Sequence, residues 1–116
     1  MKVLVCRNEI LDGMFKQSFE VHDVPKDFLT FAYEKIGCDL VDVVYIDNNV
    51  TMWVDDEGLL KSDNAVLEYT NNITLAGNIV FTGGADSVGN NLYLDDAEIH
   101  KLKVMCRNAE LKGITR

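Results

Sequence analysis

Along Val50 to Asp55, Val50, Met52 and Val54 alternate with Thr51, Trp53 and Asp55. A period of two sends alternate side chains to opposite sides of a strand. Just upstream, Leu40 to Ile46 is rich in β-branched residues, and Asp47-Asn48-Asn49 between the two runs is a turn signal. Residues 40–55 are therefore expected to form a hairpin, closed by Asp56-Glu57-Gly58. Lys2 to Arg7 and Lys16 to Val21 predict a second hairpin around Asp12-Gly13. Ile73 to Thr82 reads as one later strand interrupted at Gly77, and Leu92-Tyr93 as a brief further pairing. Leu59 to Asn72 fits neither period.

Two stretches change to helical spacing. Phe28, Leu29, Ala32 and Ile36 make one apolar stripe. Asp23 or Val24 is placed to cap it, Pro25 falls in the first turn where its missing N–H does no harm, and Gly37 suits the stop. The expected helix is 24–36. The second stripe is Ile99, Leu102, Met105, Cys106 and Ala109. Asp95 followed by Glu98 resembles a capping box, and acidic residues precede basic ones along the helix, as the dipole favours. This helix is expected over 96–112, with Gly113 as its stop. The pattern as a whole predicts an α+β fold: a single small domain over 1–116, largely antiparallel sheet, with two helices.

Composition narrows the setting. A chain of 116 residues and 13.0 kDa buries enough surface to fold without disulfides or metal. Cys6, Cys38 and Cys106 are odd in number, irregular in spacing and without a CxxC pair, which argues for reduced, buried thiols. The amino-terminal run lacks the ~7–15 apolar residues of a signal peptide, and no window reaches the ~18 of a membrane helix. A cytoplasmic protein with no membrane contact is expected. The formal charge of -8, from 11 basic and 19 acidic residues, argues against direct nucleic-acid binding, which needs a basic face.

Candidate chemistry is sparse. The acidic residues Asp39, Asp42 and Asp47 precede Asp55-Asp56-Glu57, and the hairpin brings the last group towards Asp39. Paired carboxylates can bind a hard cation or do acid–base work. The calcium-loop pattern nevertheless fails, because Thr51 and Met52 stand where Asn or Asp and Gly are required. Turn chemistry accounts for most of these residues, and no metal or cofactor is expected. Asp42 is in phase with Leu40, Val44 and Ile46; burying the opposite face, Val41, Val43 and Tyr45, would leave it exposed. Trp53 and Tyr45 can stack on each other or on a ligand. The candidate binding residues are Asp47, Trp53, Asp55, Asp56 and Glu57.

Cys6 or Cys106 with His22 or His100 makes a nucleophilic pair only if the fold joins them. The glycine-rich stretch Gly83 to Asn91 lacks any GxGxxG or Walker pattern. Cys6-Arg7-Asn8 recurs as Cys106-Arg107-Asn108, but one copy reads as strand and the other as helix, so the echo is taken as coincidence.

Residues 46–102 carry a resemblance. The segments are Val54-Asp55-Asp56-Glu57-Gly58-Leu59-Leu60, Asn64, Leu75-Ala76-Gly77-Asn78-Ile79-Val80-Phe81-Thr82-Gly83 and Leu94-Asp95-Asp96-Ala97-Glu98-Ile99. Together they resemble a domain-of-unknown-function family of small proteins from phages, plasmids and mobile elements of Gram-positive bacteria. The N-terminal third departs from that likeness. The resemblance implies a mobile-element origin and supplies no activity. The leading functional expectation is an accessory or inhibitory factor that binds a host or element protein through an acidic surface. The alternative is a small-molecule or nucleotide-binding module, with a cysteine-dependent enzyme behind it.

Overall fold

The computed structural model describes residues 2–24, 27–47, 50–69, 73–84 and 94–116. In chain order the elements are β1 (Lys2–Leu11), β2 (Met14–Asp23), α1 (Phe28–Ile36), β3 (Val41–Asp47) and β4 (Val50–Asp55). A 3-10 turn (Gly58–Leu60) follows, then β5 (Ala65–Glu68), β6 (Thr74–Ala76), β7 (Ile79–Gly83), α2 (Asp96–Arg107) and β8 (Glu110–Ile114). The strands make a five-stranded sheet, β2-β1-β7-β4-β3, and a three-stranded sheet, β6-β5-β8. Each of these pairings is antiparallel. The architecture is thus α+β.

Both faces of the large sheet are covered, which explains its apolar strands. Val3, Val5 and Val80 face Ala32 and Ile36 of α1, with Phe28, Phe31 and Trp53 packed around them. The opposite face presents Leu4, Cys6, Met52, Val54, Ile79 and Phe81. These meet Ala65, Leu67 and Tyr69 beneath the small sheet and Ile99, Leu102 and Cys106 of α2. The first hairpin turns at Asp12 (φ 51) and Gly13 (φ 77), the pair of positive φ angles that a two-residue hairpin turn requires. Its strands are longer than the sequence pattern suggested. Leu11 still pairs with Met14 and Lys2 with Asp23.

Helix α1 starts later than expected. Because β2 runs to Asp23, neither Asp23 nor Val24 caps it. Asp27 does, with its Oδ1 accepting from the Thr30 N–H at 3.3 Å. Pro25 lies outside the described residues. Gly37 ends the helix at φ 80, donating to the Tyr33 carbonyl. Helix α2 opens with the expected capping box: the Glu98 N–H donates to Asp95 Oδ1 at 2.7 Å, and the Asp95 N–H to Glu98 Oε1 at 3.0 Å. It closes at Arg107, not at 112. The residues beyond it form β8, which pairs with β5. Gly113 is therefore part of a strand. Val66 pairs with Gly113 and Leu67 with Leu111, so Lys112 is the extra residue of a bulge.

The expected strand 73–82 is two strands in two sheets. At Gly77 (φ 90) the chain leaves β6 in the small sheet and continues as β7 in the large one, a backbone turn that side chains resist. Leu59 to Asn72, which had no period, contains part of the 3-10 turn and all of β5. On β3, Val44 and Ile46 pack against one core and Val41 against the other, while Tyr45 is 74% exposed, so both faces of the strand are covered in part. Asp42 is exposed even though it shares the inward face with Val44. The turn residues Asn48 and Asn49 and the pair Leu92-Tyr93 lie outside the described residues. All three cysteines are free and buried.

Candidate functional site

The open end of the β3–β4 hairpin holds the candidate site. The Asp56 N–H donates to the Leu40 carbonyl at 3.0 Å, which brings Asp39 and Leu40 beside the Asp55-Asp56-Glu57 segment. The 3-10 turn that follows lies directly on β6. A Cβ at Gly58 would stand 2.8 Å from the Ala76 carbonyl oxygen, so only glycine permits this approach. Asn64 Nδ2 holds the Gly58 carbonyl at 2.9 Å. With its first residue pinned in this way, the turn directs Leu59 and Leu60 outwards, 58% and 81% exposed.

Between the turn and the edges of the two sheets is a cleft of about 150 Å³. Val54 and Ala76 line it together with Leu75, and Asp42 and Asp56 bring carboxylates to it. Leu40, 54% exposed, lies at the same end of the hairpin. The result is an apolar hollow bordered by negative charge.

The candidate binding residues separate on folding. Asp56 and Glu57 are exposed at the cleft end. The Asp55 side chain is only 6% exposed; it pairs with Lys61 Nζ at 2.7 Å and accepts the Glu57 N–H at 2.9 Å. Its charge organises the turn, and this pairing raises the Lys61 pKa. Trp53 belongs to the other face of the sheet. Its ring stands edge-on to Phe28, centroids 4.9 Å apart, and Nε1 donates to Thr82 Oγ1 at 3.0 Å. Asp47 ends β3 in register with Val50, and its side chain lies outside what the structure describes. Leu59 and Leu60 had drawn no binding role from the sequence, and Asp42, weighed among the acidic candidates, was not one of the binding residues. Two adjacent leucines after a glycine in an acidic stretch were the available signal.

Other chemistry is used internally. Glu20 of β2 accepts from Arg7 Nε at 2.6 Å and Lys35 Nζ at 3.2 Å, and shares a hydrogen bond with His22 Nε2 at 2.7 Å. These contacts, His22 first and then Arg7, pull its pKa down to about 2. His22 thus sits on the α1 side of β2, whereas Cys6 and Cys106 lie together in the core across the sheet. The hydrogen bond to Cys6 and then burial push the Cys106 thiol upwards, away from the nucleophilic thiolate. His100 is exposed on α2.

Around the thiols runs a buried amide network. Asn8 Nδ2 donates to Tyr69 Oη at 3.1 Å and the Gly77 carbonyl at 3.0 Å. Its Oδ1 accepts from Gln17 Nε2 at 3.1 Å, and that nitrogen also reaches the Cys106 carbonyl at 3.0 Å. Burial raises the Tyr69 pKa, which keeps its hydroxyl as a neutral partner. Among the described residues, no buried side-chain N or O atom lacks a partner.

Among the described residues, no group of three or more His, Cys, Asp or Glu is placed to hold a metal ion, and no helix is long and apolar enough to cross a membrane. Residues 85–91 of the glycine-rich stretch lie outside the described residues.

A family model described as domain of unknown function (DUF3846) matches residues 1–107, and the chain belongs to that family. The match takes in the N-terminal third that the resemblance had set apart. No curated protein and no solved structure matches the chain.

Proposed function

We propose that this DUF3846 chain is a binding protein and not a catalyst, and that it engages a basic protein partner through the acidic, leucine-bearing cleft at the end of β3. One observation carries the reading: Leu59 and Leu60 project into solvent directly beside the exposed Asp56 and Glu57. An apolar spot with an acidic border suits Lys and Arg, whose stems lie on apolar surface while their heads seek carboxylates. The overall charge of -8 favours encounter with such a partner and disfavours nucleic acid. The three buried free thiols fit a reducing compartment, so the proposed setting is the cytoplasm. The resemblance to phage and mobile-element proteins supports an accessory or inhibitory role there.

The test is capture by a tagged chain from its host cells at low and high salt, beside a Leu59→Ser/Leu60→Ser variant and an Asp56→Asn/Glu57→Gln variant. The expected result is one stoichiometric basic protein, held at low salt, released at high salt and lost with either variant. Retention by both variants, or no protein retained at low salt, would overturn the reading.

A further inference from the structure

Among the described residues no strand pairs with the outer edge of β3, and that edge suggests how the partner is held. The hydrogen bond from the Asp56 N–H to the Leu40 carbonyl fixes the phase of the β3–β4 ladder. Val41 then faces Asp55, Asp42 faces Val54, Val43 faces Trp53, Val44 faces Met52 and Tyr45 faces Thr51. Hydrogen-bonded and non-hydrogen-bonded pairs alternate in an antiparallel ladder. Asp42 and Val44 therefore turn their main-chain groups to β4, while Val41, Val43 and Tyr45 turn theirs away. β3 is the last strand of its sheet. One outward group already has a local substitute for a neighbouring strand: the Val43 N–H donates to Asp42 Oδ1 at 2.8 Å. A charged side chain on an edge strand is a known way to hold off unwanted pairing. Asp42 is also one of the residues that line the cleft.

The geometry points to β3 as a strand-addition site for an extended basic segment of a partner protein. This rests on the binding reading above and adds its mode and selectivity. Side chains of an added strand alternate between the two faces of the sheet. On the cleft face, a Lys or Arg meets Asp42 and Asp56 with its stem against Leu60. When the Asp42 carboxylate turns to that cation, the Val43 N–H is released to an incoming carbonyl. An acidic strand cannot exchange with Asp42 in this way, and a second copy would set Asp42 and Asp56 against the carboxylates of another cleft. On the other face, Val43 and the exposed Tyr45 form a ledge for the alternate side chains. Main-chain bonds supply affinity, and the charged exchange selects the partner.

The test uses peptides of alternating Lys and Val, the same peptide N-methylated at alternate amides, and an alternating Glu and Val control. Binding and amide hydrogen exchange are followed on the intact chain. The Lys peptide is expected to slow exchange at Val41, Val43 and Tyr45 by about tenfold or more, and the N-methylated peptide to bind about tenfold more weakly. Val43→Pro, which removes an outward N–H with its bond to Asp42 but no N–H directed at β4, is expected to weaken binding while leaving the β4 ladder intact. Suppose the Lys peptide binds and Asp42→Asn/Asp56→Asn abolishes it, yet those amides stay unprotected and N-methylation has no effect. Strand addition is then overturned and the acidic docking reading stands. No binding at low salt, or equal binding of the Glu peptide, overturns both. A concentration-dependent dimer that protects the same amides without peptide overturns the basic partner in favour of a second copy.

Discussion

The large sheet has two terminal strands, and they are finished in opposite ways. Several side chains of β2 find partners within the molecule. Gln17 bonds Asn8 and the Cys106 carbonyl, and Glu20 is held by Arg7, His22 and Lys35. Lys103 and Arg107 stand over the Phe19 ring at 6.0 and 5.3 Å. At β3, Asp42, Tyr45 and the adjacent Leu40 are left to solvent. The cause lies in the layers. Both helices send cations to β2, Lys35 from α1 and Lys103 and Arg107 from α2. The cation near the start of β3, Lys61, is occupied by Asp55 and the Gly37 carbonyl. At one edge several side chains are held by the protein itself, although Met14 and Val21 stay exposed; at the other, Asp42, Tyr45 and Leu40 stay in solvent.

The largest effect in breaking this contrast is expected at Asn8. Asn8→Leu removes the amide linking β2, Tyr69 and Gly77 and strands buried polar partners, costing about 3 kcal/mol in urea denaturation. A cost under ~0.5 kcal/mol would mean that β2 is held by apolar packing alone. Glu20→Gln comes next. Its side chain is 32% exposed, so after allowance for solvent screening a loss of about 1–2 kcal/mol near neutral pH is expected. The folded pKa is depressed, so the carboxylate's contribution is complete above the ordinary value of 4.5 and is lost as pH falls towards about 2. Thermal melts of the two proteins should therefore converge across that window; a constant gap would place the effect outside the charge cluster. The smallest effect belongs to β3 and its turn. Tyr45→Ser and Leu60→Ser are expected to change stability by less than ~0.5 kcal/mol, since neither side chain is buried. A larger loss would show that this edge is structural too.

Elements with a strong local period were legible: the β3–β4 hairpin, the capping box of α2, and the αL stop at Gly37. The candidate site was legible only in part. Asp56 and Glu57 read as exposed turn acids and are so. Trp53 and Asp55 looked equally available and are not. A half-buried strand carries no mark of which layer will cover each face, and α1 covers Trp53 while Lys61 reaches Asp55 from the following loop. Leu59 and Leu60 read as an aperiodic stretch because their placement depends on Gly58 meeting Ala76, a contact between distant parts of the chain.

What the chain determines by itself is therefore local: periods of two and of 3.6 residues, caps, glycine stops and the net negative charge. These follow from backbone sterics and side-chain chemistry within a few residues. Tertiary packing decided the rest. It split residues 73–82 between two sheets at Gly77 and drew the C-terminal residues into β8 because β5 had a free side to pair. It buried Cys6 against Cys106 although they are far apart in sequence, and it set β3 at the end of its sheet, with no further strand beside it among the described residues. Sheet order and exposure depend on which distant surfaces bury one another, and no local pattern in the chain encodes that choice.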